Sequence, residues 1–262
     1  MTTGAERLTV ALGDAKAAGR KLLIPYVTGG LQPHWLDAIR AMADAGADAI
    51  EVGIPFSDPV MDGPTIQEAS TAALAAGATP PSILTALRGV DAGVPLIAMT
   101  YYNVVFHAGD ERFAAELAGA GVDGAIVPDL SLEELGPWEA AAHGAGVAPV
   151  LLAAPVTPDD RLAEICRRSQ GWVYGVNMMG VTGERDRVAE SSRLLAKRLK
   201  AVTDKPVVMG FGISTPAQAA EVAEEADGVV VASALMRILL NGGDATAVGD
   251  AVAAIRSALD QG

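Results

Sequence analysis

Short apolar runs recur at regular intervals along the chain, and most end in or are closely followed by glycine, proline, aspartate or asparagine. Both faces of each run are apolar, which is typical of parallel strands that are covered by helices on both sides. Eight runs show this pattern, at residues 22–28, 48–53, 95–102, 123–129, 148–154, 171–176, 205–211 and 227–233. The pattern therefore predicts eight buried parallel strands.

Helix-like patterns lie between these runs, for example PHWLDAIRAMADAGA after the first run and DATAVGDAVAAIRSAL near the end of the chain. Strands that alternate with helices predict an α/β fold with right-handed crossovers. We predict a single (β/α)8 TIM barrel, one domain over residues 1–262, with an extra N-terminal helix at about residues 5–19. A doubly wound open sheet is the competing architecture, but VTGGLQPHW after the first strand lacks the GxGxxG spacing.

Composition and charge narrow the choice of partners. Half of the 262 residues are hydrophobic, and the net charge is −13 with a pI near 4.6. We expect neither nucleic acid nor an anionic membrane as a partner, because both attract a basic face. No apolar stretch is long enough to predict a transmembrane span, and the N-terminus lacks the apolar core of a signal peptide. The single cysteine, Cys166, cannot form an internal disulfide, so we expect a reducing, cytoplasmic location.

A carboxylate interrupts the second apolar run. Glu51 lies between Ile50 and Val52 near the end of the predicted strand, and barrels of this kind form their active sites at the C-terminal ends of the strands. Burial disfavours the charged form and raises the pKa of a carboxyl group, which can then give and take protons near neutral pH. The alternative is a structural glutamate satisfied by backbone N–H groups or by a neighbouring tyrosine.

The loop after this run carries a second candidate. Asp62 lies in PFSDPVMDGPT, where three prolines stiffen the loop and Gly63 allows a tight turn. Because the loop emerges beside Glu51, we predict that the two carboxyl groups belong to one site. The alternative for Asp62, and the favoured interpretation of Asp58, is a turn cap that binds its own backbone.

Glycines follow the sixth and seventh runs and Ser233 ends the eighth, all at the same end of the predicted barrel. Barrels often bind phosphate with the loops after strands seven and eight and with the N-terminus of a short extra helix. Gly212 would let backbone N–H groups approach an oxyanion, and Ser233 would start the short helix SALMRIL. Thr182 and Gly183 would close over the ligand from the loop after the sixth run. Each glycine alone is also consistent with an ordinary turn.

Aromatic and apolar side chains near the strand ends predict a wall for a ring-shaped substrate. Tyr174 lies inside the sixth run, and Tyr101 and Tyr102 end the third. One of these tyrosines is expected to meet Glu51 across the mouth of the barrel. The apolar walls are predicted to come from Tyr26, Ile66, Met99 and Phe211. Core packing is the alternative for all of these side chains.

Two kinds of catalytic group have no placed candidate. The three histidines are scattered, and no HxH, HExxH or CxxC spacing occurs, so we expect no metal site. The lysines lie in predicted helices or at strand starts, which disfavours an aldolase that forms a Schiff base inside the barrel. Another phosphosugar enzyme, such as an isomerase or epimerase, stays an alternative, although these often use a metal or a His or Lys base.

Several motifs together resemble those of the tryptophan synthase alpha subunit family. They are LIPYVTGG, AIEVGIPFSDPVMDGPTIQEAS, MTYYNVVF, GVDGAIVPDL, GVTGERD and GFGIS, and the resemblance runs from about residue 5 to the C-terminus. It implies a TIM barrel that cleaves indole-3-glycerol phosphate into indole and glyceraldehyde 3-phosphate, with no cofactor in this subunit. It also implies a beta subunit as partner, which uses pyridoxal phosphate and receives the indole through a tunnel in an α2β2 complex.

The same resemblance implies roles for particular residues. The family's catalytic groups fall on Glu51, Asp62 and Tyr174. Its phosphate-binding positions fall on Gly183, Gly212, Ala232 and Ser233, with Phe211 alongside. Its mobile lid falls on residues 176–191, where Thr182 anchors the catalytic aspartate.

The chain departs from the family pattern at two positions. Many members have glycine where this chain has Ala232, and some have arginine where it has Met178. Alanine still offers a backbone N–H, but only at negative φ, so the phosphate loop is expected to differ slightly. A charged lid contact at position 178 is not expected.

The chemistry implied by the resemblance agrees with the roles proposed from the residues. A retro-aldol cleavage needs C3 of the indole ring to gain a proton and a glycerol hydroxyl to lose one. Glu51 is expected to serve both steps, and Asp62 to bind the indole N–H and stabilise the positive ring. Two alternatives keep the same fold: a non-catalytic activator of a beta subunit, and a stand-alone lyase that releases indole without a partner.

Overall fold

The strands predicted from the apolar runs close into a barrel in the computed structural model, which describes residues 2–176, 185–210 and 212–261. All strands are parallel, and they follow one another around the barrel in chain order until β8 pairs with β1. They are β1 Leu22–Thr28, β2 Ile50–Gly53, β3 Leu96–Met99, β4 Gly124–Ile126, β5 Ala148–Ala153, β6 Val173–Val176, β7 Val207–Gly210 and β8 Gly228–Val231. The prediction of a (β/α)8 TIM barrel is confirmed.

Helices connect the strands and surround the barrel. In the described ranges they are α1 Gly4–Ala17, α2 Trp35–Asp44, α3 Pro64–Ala75, α4 Pro80–Leu87, α5 Tyr102–Ala108, α6 Asp110–Gly119, α7 Leu135–Ala145, α8 Asp159–Arg168, α9 Arg185–Lys200, α10 Pro216–Ala223, α11 Ser233–Leu240 and α12 Ala245–Leu259. Within those ranges, none combines the length and the apolar character needed to cross a membrane. The extra N-terminal helix is α1, which begins with a capping box between Thr3 and Glu6.

Several strands are shorter than the apolar runs that predicted them. The third run covers residues 95–102, whereas β3 ends at Met99 and Tyr102 already begins α5. Tyr101 has an extended backbone and occupies the N-cap of α5, yet its side chain is almost fully buried. The apolar pattern continues past the strand because the segments above the barrel also pack against the core.

Alternate residues of the strands point into the barrel and fill its N-terminal half. Ile24, Trp172 and Val208 belong to this inner cluster. Helix α1 packs across this end of the barrel, where Leu8 and Leu12 are completely buried against the cluster. The N-terminal half is therefore a packed core, which leaves the C-terminal ends of the strands as the place for a ligand.

Aspartates that precede three of the strands tie the N-terminal end together. Each accepts a backbone N–H of a neighbouring strand and forms an ion pair with a basic side chain. The sets are Asp48 with Leu23 and Arg20, Asp123 with Leu96 and Arg7, and Asp227 with Val207 and Lys200. These buried carboxylates have structural partners, in contrast to the acidic residue in the middle of β2.

Candidate active site

Glu51 lies in the interior of the barrel and is 1% exposed. It pairs in register with Tyr26 of β1 on one side and with Ile97 of β3 on the other. Its Oε2 atom has no hydrogen-bond partner among the described residues. Burial, together with the negative charge of Asp62, raises the pKa of Glu51 to about 8. A buried carboxyl with an unsatisfied oxygen and a near-neutral pKa has the properties of a proton donor and acceptor.

Asp62 lies in the loop between β2 and α3, close enough to Glu51 for the two carboxyl groups to interact electrostatically. A tight turn presents it, because the Asp62 N–H donates to the Pro59 carbonyl at 3.0 Å. Burial raises the pKa of Asp62 to about 6, while a hydrogen bond from Tyr101 lowers it. By contrast, Asp58 accepts the Ser57 hydroxyl on the exposed side of the loop.

Tyr101 fastens this loop to the top of β3. Its hydroxyl accepts the backbone N–H of Met61 at 2.9 Å, and its ring stacks on Phe56 with centroids 5.1 Å apart. Both contacts are made to the loop that carries Asp62. The substrate-binding role expected for Tyr101 stays a prediction, but its position next to Asp62 is clear from these contacts.

Tyr174 faces the carboxyl pair from β6. Burial and the charges of Glu51 and Asp62 raise its pKa, so the phenol stays protonated. Its ring lies over Gly210 of β7, where a Cβ atom would come within 2.6 Å of the hydroxyl oxygen. Glycine at 210 therefore makes room for the tyrosine, and the predicted catalytic group reaches the same space as the two carboxyl groups.

The predicted apolar walls lie around this space. Tyr26 is 4% exposed and its pKa is raised by burial and by the charge of Asp62. Ile66 is buried in the first turn of α3 and belongs to the same cluster as Tyr26. Met99 ends β3 and packs against the inner cluster of the barrel. Contact between these side chains and a substrate stays a prediction.

The predicted phosphate side is partly described. Gly212 follows β7 with φ 77°, a conformation that favours glycine, and a Cβ there would meet no atom within 4 Å. Ser233 begins α11, and Ala232, with φ −118°, occupies the N-cap without a side-chain hydrogen bond. The remaining predictions, Thr182, Gly183, Phe211 and the Met178 position of the lid, lie outside the described residues.

Among the described residues, no group of three or more His, Cys, Asp or Glu side chains is arranged to hold a metal ion. A groove of about 890 Å³ lies at the opposite end of the barrel, beside α1 and the end of α8. Its basic side chains are engaged, since Arg168 pairs with Glu139 at 2.8 Å and Lys205 donates to carbonyl groups at the end of α8. The carboxyl pair therefore marks the candidate site.

Sequence reasoning missed two polar residues beside the site. Thr28 ends β1, is completely buried, and donates its hydroxyl to the Tyr26 oxygen at 3.2 Å. Asp129 follows β4 and accepts the backbone N–H of Tyr102 at 2.8 Å, joining the loops after β3 and β4. Both are polar residues at the C-terminal ends of strands, where barrels of this kind form their active sites, so their position in the sequence could have identified them.

Known proteins resemble this chain along most of its length. The family model described as "Tryptophan synthase alpha chain" matches residues 12–259. The chain is 47% identical to the tryptophan synthase alpha chain of Thermobifida fusca, with 89% of this chain and 88% of that protein covered. It is 44% identical to that of Streptomyces avermitilis, with 97% and 94% covered.

Solved structures give the same result. A chain of Mycobacterium tuberculosis tryptophan synthase matches with a TM-score of 0.89 and 38% identity, and each chain is fully covered. Tryptophan synthase subunit alpha of Legionella pneumophila matches with a TM-score of 0.88 and 32% identity, with 97% of this chain and 98% of that chain covered.

Proposed function

The chain belongs to the tryptophan synthase alpha chain family, which makes it a carbon–carbon lyase of indole-3-glycerol phosphate, and we propose that Glu51, Asp62 and Tyr174 carry out the cleavage. The products are indole and glyceraldehyde 3-phosphate. The observation that carries the assignment of residues is the buried Glu51 carboxyl, with its unpartnered Oε2 and its pKa near 8, beside Asp62.

Glu51 is the proton shuttle of this proposal. Below about pH 8 its carboxyl is protonated and gives the proton to C3 of the indole ring, which leaves a positive charge on the ring. The bond between C3 and the glycerol carbon then breaks, and its electron pair neutralises the ring. The hydroxyl on that carbon loses its proton to Glu51 as the aldehyde forms. Glu51 ends the reaction protonated, as it began, so no other proton source is needed.

Asp62 has the complementary role because its pKa is lower. With a pKa near 6 it is ionised at neutral pH, where Glu51 is still protonated. Its carboxylate accepts the indole N–H and stabilises the positive ring. Two neighbouring carboxyl groups whose environments separate their pKa values are a recurrent basis for acid–base catalysis. The protonated phenol of Tyr174 adds a hydrogen-bond donor from the other side of the site.

The phosphate group of the substrate is proposed to bind opposite the carboxyl pair. The N-terminus of α11 presents backbone N–H groups and the positive end of the helix dipole. Gly212 allows the backbone after β7 to approach the same anion. We assign Ala232 and Ser233 to this cradle as well, together with Gly183, and we assign Thr182 and Phe211 to substrate binding; the roles of Gly183, Thr182 and Phe211 rest on the family motifs.

A tryptophan synthase beta subunit is the partner that membership of the family supports. We propose an α2β2 assembly in the cytoplasm, with pyridoxal phosphate in the beta subunit and no cofactor in this chain. Large apolar side chains are exposed around the mouth of the barrel, in the segments after β2, β3 and β5: Val60, Met61, Phe106 and Val156. This mouth patch surrounds the exit that indole would take, so we propose it as the docking surface of the beta subunit.

The function is tested by indole formation from indole-3-glycerol phosphate. We expect Glu51→Gln and Asp62→Asn to lose about 10²-fold or more in rate and to keep the circular dichroism of the fold. Asp58→Asn is the matched control, since it removes an exposed carboxyl of the same loop. Near-normal turnover by Glu51→Gln, or no indole from the unaltered chain, would exclude the assignment. Ribulose phosphates in place of the substrate test the isomerase and epimerase alternatives.

A further inference from the structure

The hydroxyl groups of Tyr26 and Thr28 form a buried pair at the end of β1. Residues two apart on a strand point to the same side, so both side chains enter the barrel. Thr28 is completely buried, and its hydroxyl donates to the Tyr26 oxygen at 3.2 Å. This bond uses an acceptor position of the phenol and leaves the phenol's own proton available for another acceptor.

The position of Gly53 shows where the Tyr26 hydroxyl lies relative to Glu51. Tyr26 is the register partner of Glu51 on β2. Gly53 lies two residues after Glu51, on the same face of that strand. A Cβ atom at Gly53 would lie 1.8 Å from the Tyr26 hydroxyl oxygen, so the phenol fills the space of a missing side chain. Neighbouring positions on one face of a strand are roughly 6.6 Å apart. The flexible Glu51 side chain covers much of that distance and can bring its carboxyl to the hydroxyl.

The other titratable groups around the phenol come from three further segments. They are Asp62 in the loop after β2, Tyr101 at the end of β3 and Tyr174 on β6. Burial and the charges of Asp62 and Glu51 raise the pKa of Tyr26, so its hydroxyl keeps its proton. Tyr26 can therefore donate a hydrogen bond throughout the working pH range, and it does not itself exchange protons with the substrate.

We propose that Tyr26, oriented by Thr28, is a positioning residue whose hydroxyl donates a hydrogen bond to Glu51 once Glu51 has given its proton to the substrate. The inference rests on the proton-shuttle role proposed for Glu51. The hydrogen bond stabilises the carboxylate in a site that otherwise penalises charge, and it holds that carboxylate ready to take the hydroxyl proton. Tyr26 is then a polar group of the reaction as well as an apolar wall.

Tyr26→Phe and Thr28→Val test the proposal because each removes the hydroxyl and leaves a side chain of similar shape. The measurement is the pH profile of kcat and of KM for indole-3-glycerol phosphate. We expect Tyr26→Phe to lower kcat by about tenfold with little change in KM. The ionisation of Glu51 seen in the profile moves to higher pH, because the carboxylate has lost its donor. Thr28→Val should move the Glu51 ionisation in the same direction, but by a smaller amount than Tyr26→Phe.

Thr9→Val is the control, since it removes a hydroxyl that donates to the Ala5 carbonyl at 2.8 Å on α1, at the opposite end of the barrel, and it should leave both profiles unchanged. If Tyr26→Phe changes KM alone and leaves the pH profile of kcat in place, the proposal is wrong and Tyr26 is only a wall. If Tyr26→Phe does not fold, Thr28→Val decides: an unshifted pH profile of kcat would show that the proposal is wrong. Failure of the proposed function would be recognised by a different result, because Glu51→Gln would then stay active.

Discussion

The hydroxyl of Tyr101 accepts the backbone N–H of Met61 at 2.9 Å, and this contact joins the end of β3 to the residue before Asp62. Phe56 stacks on the same ring from the start of the loop. One side chain therefore holds the loop at both ends of its Pro-rich segment. Burial of the Val60 and Met61 side chains does not fix the loop, since both are exposed.

Tyr101→Phe keeps the stacking and removes the hydrogen bonds. Because the Tyr101 hydroxyl lowers the pKa of Asp62, we expect the Asp62 ionisation to move above its present value of about 6. The acid limb of the kcat/KM profile should shift to higher pH, and the rate at about pH 7 should fall severalfold. The pH profile of indole formation measures both effects. An acid limb that stays in place would mean that Tyr101 acts on the loop without acting on Asp62.

Glu51→Gln should change how stability depends on pH. In the folded chain the pKa of Glu51 is about 8, against an ordinary value of 4.5, so folding opposes its ionisation. The stability present below about pH 4.5 is therefore lost as the pH rises toward about 8. Glutamine does not ionise and avoids this loss. The free energy of unfolding of the variant, relative to that of the unaltered chain, should therefore rise across this window by at most about 1.4 kcal/mol per pH unit.

Urea unfolding of both proteins at about pH 5 and about pH 8 measures this difference. Glu51→Asp serves as a comparison, because it keeps an ionisable group at the same position and should keep the loss of stability. Equal pH dependence for the glutamine variant and the unaltered chain would show that folding does not raise the pKa of Glu51.

The fold could be predicted from the sequence because each strand is a short apolar run that a helix-like pattern separates from the next one. A parallel strand buried on both faces needs a continuous apolar run, and the run that ends in Thr28 shows this clearly. Strand ends were harder to predict. Apolar residues continue above β3 for packing reasons, so the pattern did not show that Tyr102 begins a helix.

The site could be predicted only in part for a related reason. Glu51 stood out because a carboxylate within an apolar run is costly to bury. The bond from Thr28 to Tyr26 and the space that Gly210 leaves for Tyr174 depend on how neighbouring strands are aligned in the barrel. Alignment between strands is set by the three-dimensional register, which no local pattern contains.

Gly210→Ala should reduce activity through Tyr174. The backbone at 210 is ordinary strand, so alanine is strained only by its contacts, and its Cβ would lie 2.5 Å from the Tyr174 ring. We expect the ring to move and kcat to fall by about tenfold or more. Gly136→Ala is the control: it is exposed in α7, with no atom within 4 Å of the added Cβ, and should leave kcat unchanged. An active Gly210→Ala would argue against a catalytic Tyr174.

Phe106→Glu should weaken assembly with the beta subunit and spare the reaction of the chain alone. Phe106 is 71% exposed on α5 and contacts Tyr102 at the edge of the mouth patch. A charge on an apolar docking surface loses contact area and must be desolvated on binding. Size-exclusion chromatography with the beta subunit should show less complex. Val10→Glu, which alters an exposed apolar residue of α1 at the other end of the barrel, should assemble normally.

Arg237 links the predicted phosphate helix to the catalytic loop. It lies on α11, donates to the Thr65 hydroxyl at 3.0 Å, and pairs with Glu68 at 2.8 Å. Both partners lie in the first turns of α3, immediately after the loop that presents Asp62. The two ends of the substrate, phosphate and indole, would thus be held by elements that one arginine fastens together.

Arg237→Ala should therefore affect catalysis more than stability. The ion pair is about half exposed on both sides, and pairs of that kind contribute at most about 1 kcal/mol to folding. Misalignment of the substrate costs more, so we expect a severalfold higher KM together with a lower kcat. Arg112→Ala breaks an exposed Arg–Glu pair on α6 and should cost similar stability without changing either constant. If the two variants have the same kinetics, α11 and α3 are positioned independently, and the arginine is only a surface contact.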